Sequence, residues 1–437
     1  MKENNLGIVI PTYNYADYLE EAILSALATI ELVGGKVVVV DDGSTDNTQE
    51  IVEKYPQVQS LKLPERKGAA YARNRGSELC DTTYLLFLDS DDVLIPQSIR
   101  AMVEEMNSTP DENLIYADSL ICDENLMPMC RWSKDKDISP DNQENKLCWG
   151  MVMGMPGMLM RRDIFHKVGM FFPLPRVQDW DLAVRFMALR PLSFIDCLAF
   201  KRRVFSKTTW ERNLEERLQS LKKVIRLLEM DKKFAFLFPS LHKKRFACIY
   251  RQLTETCIAM DRYELAHQYI DKVEECVNCF GDVAIMRSQV WLKEGKYQKI
   301  IEGLANENRP FFLRNREINK FLLMSRAYEE LNDFHSAKGI LCQAIDLVPQ
   351  RTELYYQMAK LCVKSNDFTE AIMWFDRLTE DGKERYHDFH VSGHYNKAKI
   401  YKEMGKIFNA RFEIERCLKL EPDHKAAKEM LAGIDLK

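Results

Sequence analysis

The chain has 437 residues and a formal charge of −4, with an isoelectric point near 6.2. It is long enough for two hydrophobic cores and lacks the basic excess of a general nucleic-acid binder. No apolar run approaches the roughly 18 residues of a membrane helix, and Met1-Lys2-Glu3-Asn4-Asn5 opens no secretory signal, so a cytosolic chain is expected. Its 12 cysteines are scattered through apolar segments, the pattern of buried reduced thiols. The one C-x-x-C, Cys276 to Cys279, reads either as part of a zinc site or as a helix end with two incidental thiols.

Leu6 to Pro11 is a short apolar strand, and Ala16 to Ile30 has apolar residues at helical spacing in Leu19, Ile23 and Leu27. Val37 to Val40 is a second strand, closed by Asp41-Asp42-Gly43-Ser44-Thr45-Asp46 before a helix at Thr48 to Lys54. Strand, helix, strand predicts a right-handed parallel unit, and ligands of such sheets sit beyond the carboxyl ends of the strands. Arg66-Lys67-Gly68 then opens a helix carrying Arg73 and Arg75, a place suited to a diphosphate. The apolar run Tyr84 to Leu88 stops in Asp89-Ser90-Asp91-Asp92, where two carboxylates can turn toward one hard cation. Three loops, at Pro11 to Asn14, Asp41 to Asp46 and Asp89 to Asp92, should therefore meet at one crevice. Each acidic loop can also be read as a turn that caps the next helix.

Further on, Gly150 to Arg162 is dense in methionine, which suits a core strand around Gly157 to Met160 or an adaptable acceptor pocket. Val177-Gln178-Asp179-Trp180-Asp181 opens a helix that Asp179 could cap. From Lys201 to Arg245 there are 14 Lys or Arg against 5 Asp or Glu, and Leu214, Leu218, Leu221, Ile225 and Leu228 share one helical face. That segment reads as a connecting helix between domains or as a basic amphipathic helix on an anionic membrane.

The segments Ile8 to Asn14, Val40 to Asp46, Gly68 to Gly76 and Phe87 to Asp92, in that order, resemble the family 2 glycosyltransferases of the GT-A fold. The resemblance spans roughly residues 6 to 210. It implies that Pro11, Tyr13 and Asp42 bind the base and ribose of a nucleotide sugar. It places Asp89 on the ribose side, gives Lys67 and Arg73 to the diphosphate or sugar, and makes Asp91 the ligand of Mg2+ or Mn2+. Val177 to Arg185 matches the family's acidic pair, with Asp179 at the general-base position and Gln178 where a glutamate is usual. The loop from Lys201 to Ser206 lacks the histidine that the family often has there. With one base and no second carboxylate nucleophile, transfer with inversion is expected, from a nucleoside-diphosphate donor of which UDP is the family's commonest.

Beyond Phe246 the pattern changes to helical hairpins. The set Phe321, Ser325, Tyr328, Phe334, Ala337, Leu341 and Ala344 recurs 34 residues on as Tyr355, Ala359, Cys362, Phe368, Ala371, Phe375 and Leu378. This resembles tetratricopeptide repeats, with a further copy at Ala398 to Pro422 and degenerate ones near Thr254 and Ser288. The expected architecture is an α/β GT-A (Rossmann-like) nucleotide-sugar-binding domain followed by an all-α tetratricopeptide-repeat solenoid. The boundaries are 1–210 for the first domain, 211–246 for a basic connecting segment and 247–437 for the repeats. A solenoid offers a face for peptide, partner or a second copy of the chain. Together the two resemblances imply a protein or peptide acceptor, as in peptide glycosyltransferases, or a bacterial surface glycan. The competing reading is a degenerate transferase domain that serves only as a platform.

Overall fold

The computed structural model describes residues 5–132, 154–205, 213–277, 281–309, 314–380 and 387–435. Gly150 to Met153, Ser206 and Cys279 lie outside the described residues, so the acceptor-pocket and zinc readings are not addressed there. Residues 1–278 and 279–437 form two compact units.

The first unit is built on a nine-stranded mixed sheet. Strands β1 (Leu6–Thr12), β2 (Gly35–Asp41), β3 (Gln59–Lys62) and β4 (Tyr84–Phe87) run parallel, with β1 between β2 and β4. Past β4 the sheet continues through β8 (Met158–Arg161), β6 (Leu114–Cys122), β9 (Ser193–Arg203) and β5 (Val93–Leu94), while β7 (Pro128–Trp132) pairs with β6. β1 and the apolar stretch of β2 are continuous hydrophobic runs because both faces are covered. Ile8, Ile10, Val37 and Val39 join Leu19, Ile23 and Leu27 of α1 (Ala16–Val33) and Ile99 and Met102 of α4 (Pro96–Ser108) in one core. Val9 and Val40 point the other way, toward α3 (Ala69–Glu78). The helix lies so close that a Cβ at Gly76 would stand 2.3 Å from Val9 Cγ1, so only glycine permits this packing.

Short helices α2 (Thr48–Glu53) and α5 (Arg162–Lys167) and the site helix α6 (Gln178–Met187) complete the α/β part. A helical layer follows, with α7 (Leu214–Met230), α8 (Lys232–Leu237), α9 (Pro239–Ala259) and α10 (Tyr263–Cys276). Asn213 caps α7 by accepting from the Glu216 N–H at 3.0 Å, and Pro239 opens α9 without losing a needed donor. The expected start of the repeats at 247 falls inside α9. No breaker separates Phe246 from Ala247, so the helix runs on from Pro239.

This layer is joined to α6 by buried charge. Arg245 of α9 and Asp181 of α6 are both 0% exposed and form an ion pair. Asp181 also receives Arg185 at 2.9 Å, and Arg245 reaches Asp231 at 2.8 Å. The Arg245 guanidinium lies 4.5 Å from the Phe234 ring centroid.

The second unit consists of helical hairpins: α11 (Asp282–Lys293) with α12 (Tyr297–Ala305), α13 (Arg314–Glu330) with α14 (Phe334–Leu347), α15 (Thr352–Lys364) with α16 (Phe368–Glu380), and α17 (His387–Glu403) with α18 (Ile407–Leu420). Helix α19 (Lys425–Asp435) ends the described chain. The residues expected to fill the seams do so: Ala337, Leu341, Ala359, Cys362, Ala371 and Phe375 are all buried. Each hairpin turn uses one left-handed residue, Gly295, Asn332, Asn366 and Gly405, and Asp261 does the same between α9 and α10. The next N–H closes back on the helix in every case, as in Lys296 to the Trp291 carbonyl and Asp367 to the Cys362 carbonyl. This is the Schellman closure, and glycine or asparagine is the residue it favours.

Six of the described cysteines are buried, as expected, but Cys130 and Cys342 are exposed because β7 and the outer side of α14 are solvated. Among the described residues no helix is long and apolar enough to cross a membrane.

Replacing Arg245 by methionine should leave Asp181 buried beside Arg185 alone. A loss of about 3–5 kcal/mol is expected in chemical denaturation of the full chain. Pairing it with Asp181→Asn should recover part of that loss, and a silent Arg245→Met would show that the pair contributes nothing.

Candidate active site

The three loops meet at the carboxyl ends of β1, β2 and β4. Their backbones are tied before any ligand is considered. The Asp42 N–H donates to the Thr12 carbonyl at 2.9 Å, and the Leu88 N–H to the Val9 carbonyl at 2.9 Å, extending the parallel ladder into the loops. Asn14, at φ 54°, accepts from the Thr45 N–H at 2.8 Å, and its own N–H donates to Ser44 Oγ at 3.0 Å. Asp46 accepts from the Ala16 N–H at 3.1 Å, from the Thr48 N–H at 3.2 Å and from Thr48 Oγ1 at 2.6 Å, while Asn47 holds the N-cap of α2 without a side-chain bond, so Asp46 ties the starts of α1 and α2 together rather than capping α2 itself. Asp41 accepts from the Ser44 N–H at 2.8 Å, while its second oxygen and Thr12 Oγ1 are buried with no hydrogen-bond partner.

A cavity of about 300 Å³ opens between these loops. Pro11, Tyr13, Asp42, Arg73, Asp89 and Asp91 line it together, which gathers six of the eight residues picked out in the sequence. Asp42 is buried and uses both carboxylate oxygens to accept backbone N–H groups, from Lys67 at 2.7 Å and Gly68 at 2.8 Å. Gly68 has φ 97°, a conformation that a side chain would strain, and it starts α3 so that Arg73 faces the cavity. Lys67 itself is exposed and its ammonium pairs with Glu65. Its neighbour Arg66 lines the cavity instead, with its guanidinium 4.2 Å from the Tyr13 ring centroid. Tyr15 also lines it. Adjacent basic residues in a loop carry no periodic signal, so the sequence could not say which of Arg66 and Lys67 turns inward.

Arg73 is the hub. Its side chain is 10% exposed and donates to Asp89 Oδ1 at 2.6 Å and to Gln178 Oε1 at 2.9 Å, with the Phe171 ring 5.4 Å away. Gln178 is held in turn by donating to the Leu174 carbonyl at 2.7 Å. The residue at the usual glutamate position thus serves as a neutral acceptor for Arg73.

Asp179 does not line the cavity but sits one residue further along α6, where the charges of Arg73 and Asp89 both act on it. Burial raises its pKa above the ordinary carboxylate range, while the Trp180 N–H at 2.8 Å and Arg73 oppose the rise. Val177, just before the helix, is held at φ 57°, a strained conformation for a β-branched residue. Nothing in the sequence pattern marked it.

Burial, with Asp89 adding repulsion, pushes Asp91 up to about 6. Burial also raises Asp92, whose Oδ1 accepts from the Arg203 N–H at 3.0 Å. Arg203 Nε donates to the Asp91 carbonyl at 3.0 Å, so the end of β9 clamps the acidic loop where the sequence showed only a histidine missing. Among the described residues no three His, Cys, Asp or Glu side chains cluster as a metal centre. A cation here would rest on Asp91 and on oxygens that the ligand brings, the usual arrangement for Mg2+ on a phosphate-bearing substrate.

The sequence model of Glycosyl transferase family 2 matches residues 7–169, and a tetratricopeptide-repeat model matches residues 391–424. An uncharacterized glycosyltransferase of Rickettsia conorii is 32% identical over 211 residues, which cover 46% of this chain and 34% of the relative. One of Rickettsia typhi is 30% identical over 223 residues, 48% of this chain and 68% of the relative. The chain thus spans about a third of the length of the first of these and two thirds of the second. Among solved structures, Staphylococcus aureus TarS 1-349 in complex with UDP-GlcNAc aligns at 16% identity and a TM-score of 0.47, covering 71% of this chain and 99% of that one.

Asp42→Ala should leave two N–H groups without acceptors, at about 1–3 kcal/mol each. The expected outcome is selective loss of amide hydrogen-exchange protection at Lys67 and Gly68. Unchanged protection there would mean that Asp42 does not hold the loop.

Proposed function

The chain belongs to glycosyltransferase family 2, and from that premise we propose that its amino-terminal domain moves a sugar from a nucleoside-diphosphate donor to an acceptor with inversion at the anomeric carbon. The observation that carries this reading is the Asp89–Arg73–Gln178 bridge. It draws the acidic loop after β4 and the first turn of α6 together, so that Asp179 stands beside the cavity that Asp91 lines.

In this reading Pro11 and Tyr13 receive the base of the donor. Arg66, already over Tyr13, closes the other face of that ring and leaves one side for stacking. Asp42 and the Asp89 carboxylate take the ribose side, each with lone pairs left beyond its present bonds. Arg73 offers its guanidinium to the diphosphate from a pair with Asp89 that is neutral overall, to which Gln178 adds no further anion. Lys67 joins it by exchanging Glu65, a surface partner that costs little to give up. Asp91 fits a hard divalent ion, since the burial and the Asp89 repulsion that raise its pKa are what a cation relieves. Mg2+ or Mn2+ held there would supply charge neutralisation for the departing nucleoside diphosphate.

Asp179 is the general base. Its raised pKa brings it closer to the proton it must accept from the acceptor's nucleophile, and its place at the α6 N-terminus is kept by the bond to the Trp180 N–H. Asp89 is taken up by Arg73, Asp91 by the cation and Asp42 by the Lys67 and Gly68 N–H groups, so none of the cavity's carboxylates is left as the nucleophile of a glycosyl–enzyme intermediate, which favours single displacement. UDP is the donor nucleotide we propose. The acceptor is a protein or peptide side chain, presented by the helical hairpins of the second unit, or a bacterial surface glycan.

Asp179→Asn should keep nucleotide binding within about twofold of the parent and lower transfer by about 10²–10⁴-fold. Asp91→Asn should abolish the enhancement of UDP binding by Mn2+ in calorimetry. Parental activity in Asp179→Asn would remove that residue from its role. A chain that binds no nucleotide with or without Mn2+ and hydrolyses no nucleotide sugar would favour the platform reading.

A further inference from the structure

The corner between α7 and α8 places apolar side chains on faces that the fold does not use. Along α7, Leu218, Leu221, Val224 and Leu228 are buried, yet Met230, two residues on and about 200° round the helix, is 72% exposed. Helix α8 repeats the arrangement. Phe234 is buried against Phe238, ring centroids 5.1 Å apart, while Phe236 is 86% exposed and Leu237 is 53% exposed. Three large apolar side chains thus face solvent within one stretch of eight residues, Met230 to Leu237. Isolated exposed hydrophobics need no explanation, but a cluster at a helical corner does.

The surrounding charge is of one sign. Lys223, Arg226, Lys232, Lys233 and Lys243 are exposed and none forms an ion pair among the described residues. Glu229 is the one exposed acid of the stretch, because Asp231 is engaged by Arg245 and by the N-terminus of α8. Self-association through this corner would bring like charges face to face across a two-fold axis. Nucleic acid is a poor match, since Met230 and Leu237 offer no stacking surface and the whole chain carries a net −4.

We propose that this corner docks on an anionic lipid surface, with Phe236, Leu237 and Met230 entering the boundary between headgroups and acyl chains and the five cations meeting lipid phosphates. The attachment is peripheral, and it is independent of the sugar-transfer reading. It gives a physical use to the basic excess between Lys201 and Arg245.

The test is flotation of the full chain with vesicles of phosphatidylcholine alone or mixed with phosphatidylglycerol. Recovery is expected only with the mixed vesicles and should fall as salt rises. Lys232→Gln with Lys233→Gln should lower partitioning about thirtyfold, taking about fivefold per cation. Phe236→Ser with Leu237→Ser should lower it on the order of tenfold or more while the thermal melting point stays put, since both side chains are already solvated. No recovery with acidic vesicles, recovery undiminished in both double variants, or a dimer in sedimentation that Phe236→Ser dissolves would each overturn the proposal. Nucleotide binding is read on the same preparations, so failure here leaves the transferase reading standing.

Discussion

Carboxylates gathered at the ends of parallel strands repel one another, and the amino-terminal unit is arranged around that repulsion. Asp41, Asp42, Asp89, Asp91 and Asp92 come from two loops of one sheet edge. Backbone N–H groups settle Asp41 and Asp42, the end of β9 settles Asp92, and Arg73 settles Asp89. Burial first, and then repulsion from neighbouring aspartates, raises the pKa of both Asp91 and Asp92. Of these two, Asp91 also lines the cavity, so the residual cost of burying charge falls at the site rather than beneath it.

The crevice was legible in the sequence for a simple physical reason. Strands covered on both faces are written as unbroken apolar runs, and a run that stops in acids marks a strand end with its loop. The hairpin array was legible because small and aromatic residues recur at one period, and Ala337 and Ala371 are buried where that period puts them. What was not legible depends on side-chain direction or on long-range partners. The inward turn of Arg66 rather than Lys67 and the clamp by Arg203 arise from contacts between segments far apart in the chain, and the left-handed Val177 is a backbone conformation that its residue type does not announce.

Gln178 shows how one substitution can keep a geometry while changing its electrostatics. A glutamate there could accept the same guanidinium bond, but it would turn the neutral Asp89–Arg73 pair into a cluster of net charge −1. The amide accepts at 2.9 Å and leaves the cluster neutral. The same bond fixes the start of α6, so the position of Asp179 and the charge beside the cavity are set by one contact.

The buried pair between Asp181 and Arg245 carries a consequence for how this protein can be dissected. A fragment cut near residue 210 would contain the whole sheet and every cavity-lining side chain, yet Asp181 would lose the guanidinium that neutralises it from outside the fragment. Two positions upstream stands Asp179, on the first turn of the same helix. A chain shortened at that point and found inert would therefore say little about whether the helical hairpins select an acceptor, because the same cut takes away the helix of Arg245 and with it a strut beneath α6.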